Sequence, residues 1–484
     1  MSKKSSLLLA FLTILCFQLQ SQEVWSLQRC IEHAQKNSLD VLGSEVDIRV
    51  AEQAEKSSKM ARLPNLNFSS TGRFNFGRSI DFTTNTFANI RSFNNSLSLD
   101  TDVPLYRGGA IHYGVKQSGY DLAASKASAQ EIANNLALQV ANAYLQVLFA
   151  EEQLLNAQKN RELTQEQLDQ TDRLIKAGTL PFGDRLAIVA QLAQNEQLII
   201  AQENNIEINY LTLKNLMQLE PDFNLRIEKP EMAIEKYEEA TIAKLGEVYG
   251  LALQSQPQVR AGEMRLRSAE IGVDIAKSAL KPNLTLFGGL STNFSSLGED
   301  LTAEPDLSDV TFALGNPQFV EIDGEAAQVA FLERMGSPVF PQASYGMQLS
   351  DNFGQGVGVS LNIPIFNRGQ TNLNIERARL NVISSEIQNN QIRQQLKADI
   401  QNAIAQAKSA KRTLIASRKS VEANELAYDN AQKRFDLGAI NSFELTTARN
   451  NLDRAKVDLI VAKYDYLFRL KIVDFYMGKQ IELN

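Results

Sequence analysis

Side chains able to do chemistry are few in this chain. Its 484 residues include only two histidines, His33 and His112, and neither has a partner at metal-ligand spacing. No Gly-x-x-x-x-Gly-Lys-Ser/Thr loop is present to cradle phosphates, so the energy for any driven step must come from another protein. Ser, Asp and Glu residues are scattered over helix faces, where solvation is their ordinary role. The expectation is therefore no enzyme, no cofactor and no metal. Two carboxylates still stand out by position: Asp184 and Glu444 lie 260 residues apart, each six residues after a glycine, Gly178 and Gly438. Each glycine permits a turn, and each carboxylate falls at the start of a predicted helix, where the helix dipole stabilises it.

The spacing of 260 belongs to a larger pattern. At an offset of 218, residues 41–66 align with 259–284, and Glu45, Arg49, Lys59, Pro64 and Asn65 recur as Glu263, Arg267, Lys277, Pro282 and Asn283. At 260 the match resumes, pairing Pro104 with Pro364, Gly109 with Gly369, Gln146 with Gln406 and Met217 with Met477. The offsets differ by 42, so the second copy carries a 42-residue insertion between Leu284 and Pro364. Each copy reads helix, strand, strand, helix, helix. The first structural repeat, 23–235, has predicted strands near 64–80 and 95–106, a long helix 110–176 and a helix 184–218. The second, 236–484, has strands near 282–295 and 353–366, a long helix 370–436 and a helix 444–478. All twelve prolines lie outside 105–180 and 365–484, where they would break the long helices. Leu445, Ala448, Leu452, Ala455, Leu459, Ala462 and Tyr466 form a seam at three-four spacing, as in helices packed side by side; a plain coiled-coil rod explains that seam equally well.

Composition narrows the setting. The net charge of −7, from 49 basic and 56 acidic side chains, gives no footprint for nucleic acid. Residues 1–22 read as a signal peptide, with Lys3 and Lys4 ahead of an apolar run from Leu7 to Phe17. Leu15 is not the small residue that a lipid-anchored Cys16 would require before it. Removal of the signal leaves Cys30 without an intrachain partner. No other apolar stretch approaches ~20 residues, so any membrane span must be made of strands.

The predicted strands alternate. Leu66, Phe68, Phe74 and Phe76 are interleaved with Asn67, Ser69, Thr71 and Arg73, and Leu97, Leu99, Val103 and Leu105 with Ser98, Asp100 and Asp102. In the second copy Val357, Val359, Leu361, Ile363 and Ile365 face away from Gly356, Gly358, Ser360 and Asn362. A soluble half-buried sheet alternates in the same way, but four such strands behind a signal peptide favour a membrane. Four strands cannot close a barrel, so other copies must complete it: two chains would give eight strands, three would give twelve and a wider lumen. The proline of each junction is expected to stop the strand ladder and its glycine to turn the chain into the helix.

With these features the chain resembles the TolC-like outer-membrane efflux proteins. The resemblance rests on the tandem repeat, on the Pro-x-Tyr/Phe-x-x-Gly junctions Pro104 to Gly109 and Pro364 to Gly369, and on the hairpin turn "RFDLGAINSFEL" at 434–445. It implies a membrane α+β fold: a homotrimer with a 12-stranded outer-membrane β-barrel, four strands per chain, continuous with a long periplasmic α-helical barrel. The implied role is the exit duct of a tripartite efflux pump or type I secretion system in the outer membrane of a Gram-negative bacterium. Its implied partners are outer-membrane lipid, a periplasmic adaptor protein and an inner-membrane transporter. The helix tips would form the gated aperture and dock the adaptor, through Gly178, Leu180 and Asp184 in the first repeat and Arg434, Phe435, Gly438, Ile440 and Glu444 in the second. In the first repeat Leu174 and Ile175 replace the arginine and aromatic, and Thr447 stands where the family often has a second acid. Segment 296–352, with ten acids against the single base Arg334, is expected as a loop outside the cell. The competing expectation is a periplasmic coiled-coil scaffold without transport activity.

Overall fold

A stretch of 67 residues without glycine or proline, Gln370–Asp436, can run as one helix, and in the computed structural model it does. The structure describes residues 24–81, 86–179, 181–229, 242–308, 310–323, 325–330, 332–335, 338–437, 439–440 and 442–479. The predicted signal peptide lies outside them. The chain divides into a largely helical unit, made of residues up to Glu55, Lys116–Ile271 and Ala378 onward, and a sheet unit, Lys56–Val115 and Gly272–Arg377.

In chain order the elements are β1 (Val24–Trp25), α1 (Leu27–Asn37), α2 (Leu39–Met60), β2 (Asn67–Asp81), β3 (Thr86–Arg107), α3 (Ala110–Lys176), α4 (Gly183–Leu216) and β4 (Arg226–Ile227). There follow α5 (Leu245–Ser255), α6 (Pro257–Ser278), β5 (Asn283–Ser295), β6 (Thr311–Leu314), β7 (Gln318–Ile322), β8 (Glu325–Val329), β9 (Leu332–Met335), α7 (Tyr345–Asp351), β10 (Gly354–Asn362), α8 (Gln370–Asp436) and α9 (Ser442–Tyr476). Both α3 and α8 have 67 residues. Pro257 opens α6, where a missing N–H costs nothing. Among the described residues no helix is long and apolar enough to cross a membrane.

The helical unit buries its core where α1 and the short parallel pair β1–β4 meet α3, around Trp25, Cys30, Tyr144, Leu148, Leu213 and Met217. Burial pushes the Cys30 thiol up to about 12. The Tyr144 hydroxyl donates to the Glu228 carbonyl at 2.5 Å, and burial is the main cause of its raised pKa. Beside it, Lys229 Nζ reaches Glu152 at 3.2 Å and Glu151 at 3.4 Å, while Tyr210 donates to Glu151 at 2.7 Å. The seam residues of α9 behave as a packed face: Leu452, Ala455, Ala462 and Tyr466 are buried, the last two against Ala410 and Leu414 of α8.

Several boundaries differ from the sequence expectation. The strand expected near 95–106 starts at Thr86, because β2 and β3 stay paired from Asn67↔Asp100 to Asp81↔Thr86, beyond the last residue of β5. The strand expected at 353–366 ends at Asn362, opposite the first residue of β5, which leaves Ile363 and Ile365 with nothing to pair. Segment 296–352 is not a plain loop: it carries the antiparallel pair β6–β9, the hairpin β7–β8 between those two strands in sequence, and the helix α7, whose Gln348 side chain donates to the Ser295 carbonyl at 3.0 Å.

Candidate functional site

The sheet unit is built on four antiparallel strands in the order β10–β5–β3–β2. Its two edges, β10 and β2, therefore run in opposite directions, and among the described residues no further strand pairs with either. The registers Phe68↔Leu99↔Leu290 and Val103↔Leu286↔Val359 carry apolar side chains straight across the sheet on one face. Phe68, Phe74, Phe76, Val357 and Val359 stay largely exposed in the single chain, Phe68 at 69% and Val357 at 81%. Leaving such side chains in water forfeits about 1.5–3 kcal/mol each, so this face suits hydrocarbon and not water. The opposite face is polar or tiny. A Cβ on Gly358 would sit 2.6 Å from the Phe287 ring, and one on Gly289 would sit 2.9 Å from Asp100 Oδ1. The small residues thus leave room for larger neighbours. Phe287, an aromatic on the polar face, escapes a reading based on alternation alone.

At the junctions both glycines turn the chain: Gly109 has φ +96° and Gly369 φ +75°, and each is preceded by another left-handed residue, Gly108 at +62° and Arg368 at +58°. Each glycine's carbonyl then accepts the first helical bond, from Tyr113 at 3.0 Å and from Leu373 at 3.1 Å. The prolines act differently from the expectation. Pro104 does not stop its strand: it pairs with Thr285 inside β3, and the register shifts between Pro104 and Tyr106, a bulge that accommodates the missing N–H. Pro364 lies two residues past the end of β10.

At the first helix tip Gly178 has φ +78°, and Thr179 N–H reaches back to the Leu174 carbonyl at 3.0 Å while Gly178 N–H reaches Ile175 at 2.9 Å, a closed helix end. At the second, Ala439 N–H makes the equivalent bond to the Arg434 carbonyl at 2.8 Å. Arg434 is exposed, and Phe435 and Ile440 are half-buried. Glu444 is exposed in the first turn of α9. Leu180 and Gly438 lie outside the described residues, as does the side chain of Asp184, whose backbone opens α4. An ion pair absent from the sequence reading, Arg185 Nε to Asp172 Oδ1 at 2.9 Å, ties α4 to α3 near the first tip. Arg449 and Glu166, 3.6 Å apart, tie α9 to α3. Phe182, Leu437 and Phe443 are exposed at the tips and were also missed; apolar residues inside a turn are the signal that could have found them. Among the described residues no group of three or more His, Cys, Asp or Glu could hold a metal ion.

Comparison with known proteins agrees with this geometry. The model of the family described as "Outer membrane efflux protein" matches residues 30–217 and 338–479. The chain is 24% identical over 120 residues to outer membrane efflux protein BepC of Brucella suis, and 24% identical over 341 residues to outer membrane protein TolC of Escherichia coli. These matches take in 25% and 69% of this chain and span 26% and 59% of the two relatives' lengths. A crystal structure of CusC superposes with a TM-score of 0.71 at 15% identity, covering 96% of both chains, which shows a shared fold. The matched family is one of outer-membrane proteins and not of enzymes, and since its model takes in well over half of the sequence, the chain belongs to the outer membrane efflux protein family.

Proposed function

We propose that three copies of this chain join β2 of one to β10 of the next, closing a 12-stranded barrel in the outer membrane, with their long helices forming an α-helical barrel in the periplasm. The open four-stranded sheet carries this reading. Its edges run antiparallel to one another, so identical copies can join without breaking the alternation of strand direction, and the exposed apolar face is suited to lipid. Two copies would make eight strands and an interior filled by side chains; three leave an aqueous lumen.

Two structural repeats, 23–235 and 236–484, underlie the protomer in this reading. Equal long helices and closed helix ends 260 positions apart support it. The assembly is a passive exit duct for a tripartite efflux pump or type I secretion system, fed by an inner-membrane transporter through a periplasmic adaptor. The adaptor docks at the tips around Gly178, Leu180 and Arg434, Phe435, Gly438 and Ile440, and the exposed Phe182, Leu437 and Phe443 add apolar contact area there. Asp184 and Glu444, three times each, ring the aperture with negative charge, favouring cations and resisting co-alignment of the helices. The acidic segment 296–352 lies on the outer side of the membrane.

Full-length protein in detergent should have the mass of three chains and conduct ions in planar bilayers. The double variant Asp184→Asn/Glu444→Gln should raise conductance and weaken cation preference. A lone protomer without conductance would sink the duct; unchanged conductance in the variant would sink the gate alone.

A further inference from the structure

The strand registers assign each residue of the four-stranded sheet to one face or the other. The apolar face takes the even-numbered positions of β2, the odd-numbered ones of β3 as far as Val103, the even-numbered ones of β5, and Gln355, Val357, Val359 and Leu361 of β10. Among the described residues only two charged ones hold positions on it, Arg78 and Arg91, both exposed and both at the end away from the helices. The other charged residues of these strands, Arg73, Asp81, Asp100, Asp102 and Arg107, hold register positions on the opposite face.

Aromatic residues mark both limits of the apolar face. Phe74, Phe93 and Phe294, from three neighbouring strands, form a row that Tyr345 extends, with successive ring centroids 4.7, 6.3 and 4.9 Å apart. At the helix end the bulge after Pro104 brings Tyr106 opposite Leu284, and so onto the same face. Leu284 lies ten residues from Phe294, whose partner is Asn95, and Phe93 is two positions further along β3. That length of strand, at about 3.3 Å per residue and tilted by roughly 40°, rises about 30 Å, the thickness of a hydrocarbon layer. Arg91 stands two residues beyond the aromatic row, and Arg78, opposite Asn89, stands four beyond it. Both therefore fall in the headgroup layer.

Each arginine lies over a ring. Arg91 Cζ is 5.1 Å from the centroid of Phe76, its register partner, and Arg78 Cζ is 5.0 Å from that of Phe87. The two arginines are diagonal neighbours across β2 and β3, about 7–8 Å apart at the backbone. A ring holds a guanidinium by its face and leaves its N–H edge free to grip a phosphate. We propose that Arg78 and Arg91 form a clamp for the phosphate of an anionic lipid headgroup in the leaflet away from the helices; this rests on the reading of the apolar face as the lipid-facing wall of a barrel. Each such charge near an anionic lipid favours binding by about fivefold.

The test uses full-length protein in detergent and native mass spectrometry, with phosphatidic acid or diacylglycerol of identical acyl chains added, two lipids that differ only in the phosphate. Wild type should retain phosphatidic acid at least about fivefold better. R78Q and R91Q should each lose part of that preference and R78Q/R91Q most of it, whereas R73Q, changed on the opposite face, keeps it. Equal retention of the two lipids by wild type, an undiminished preference in R78Q/R91Q, or a loss as large in R73Q overturns the clamp. Inorganic phosphate at the same concentration should not displace the lipid; displacement would make this a free-anion site and also overturn the proposal. Conductance of the same samples reports the duct separately: a wild type that prefers phosphatidic acid yet conducts nothing sinks the channel and leaves the clamp standing.

Discussion

The two strand-to-helix turns make one backbone move with different residues. In both, two consecutive residues take positive φ before the helix begins, Gly108 and Gly109 in the first and Arg368 and Gly369 in the second. The surroundings differ. A Cβ on Gly108 would lie 2.2 Å from the Ser278 carbonyl oxygen, whereas its counterpart Arg368 is exposed and the next residue, Gly369, has no neighbour within 4 Å of its would-be Cβ. The turn demands a left-handed conformation; packing then decides whether a side chain can be carried there. The second turn is open enough to accept an arginine at the strained position, which the first turn cannot.

That contrast ranks the substitutions. Gly108→Ala should be the most damaging, combining left-handed strain of about 1–2 kcal/mol with overpacking against fixed backbone of up to about 3 kcal/mol. Its yield of folded oligomer in detergent should collapse, and wild-type yield would break the comparison. Gly109→Ala should cost more than Gly369→Ala, because its Cβ would press on the Tyr113 ring at 3.2 Å while the other meets open space. Roughly 2 against 1 kcal/mol is expected, read as the difference in thermal midpoints by circular dichroism.

A second contrast lies on the long helices. Glu151 and Glu152 of α3 hold Lys229, and 260 positions later α8 carries Lys411 and Arg412. Burial alone would lower the Lys229 pKa, but hydrogen bonds and charge from Glu152 and Glu151 outweigh it and raise the value above the usual 10.5. Because the folded pKa is the raised one, the stability Lys229 contributes is complete below about pH 10.5 and is lost as pH climbs through the folded value. Lys229→Gln should therefore be less stable than wild type at pH 8, with the gap closing at strongly alkaline pH; a constant gap in pH-stepped thermal melts would show the pair to be inert. The smallest effect is expected for Arg368→Gly, which relieves left-handed strain but adds chain entropy, for a net gain of about 0.5 kcal/mol. A loss of stability there would mean that the arginine side chain holds the second turn together.

Much of the fold was legible in residue patterns. Alternation marked most of the sheet faces, proline-free stretches between glycines marked the two 67-residue helices, and Gly109 and Gly369, 260 positions apart, marked where the chain turns. Where patterns failed, long-range pairing was the cause. Pro104 looks like a strand terminator, yet β5 continues beside it and absorbs it as a bulge. Thr86–Phe93 lacks clean alternation, yet pairing with β2 extends the strand through it. Segment 296–352 reads as a solvated acidic loop because its strands are only four or five residues long, too short for a periodic signal.

The site was legible to a lesser degree. Turn chemistry marked the end of α3 at Gly178; apolar residues in the turns hint at Phe182, Leu437 and Phe443, but only the structure shows that nothing in the chain covers them. By itself the sequence determined most of the strand faces and the lengths of the two long helices, since these follow from periodicity and from backbone freedom at glycine and proline. Only the tertiary structure decided strand order, the opposed directions of the two sheet edges and which glycine could give way to arginine. Those depend on which distant segments come within a few ångströms, and no local pattern encodes that.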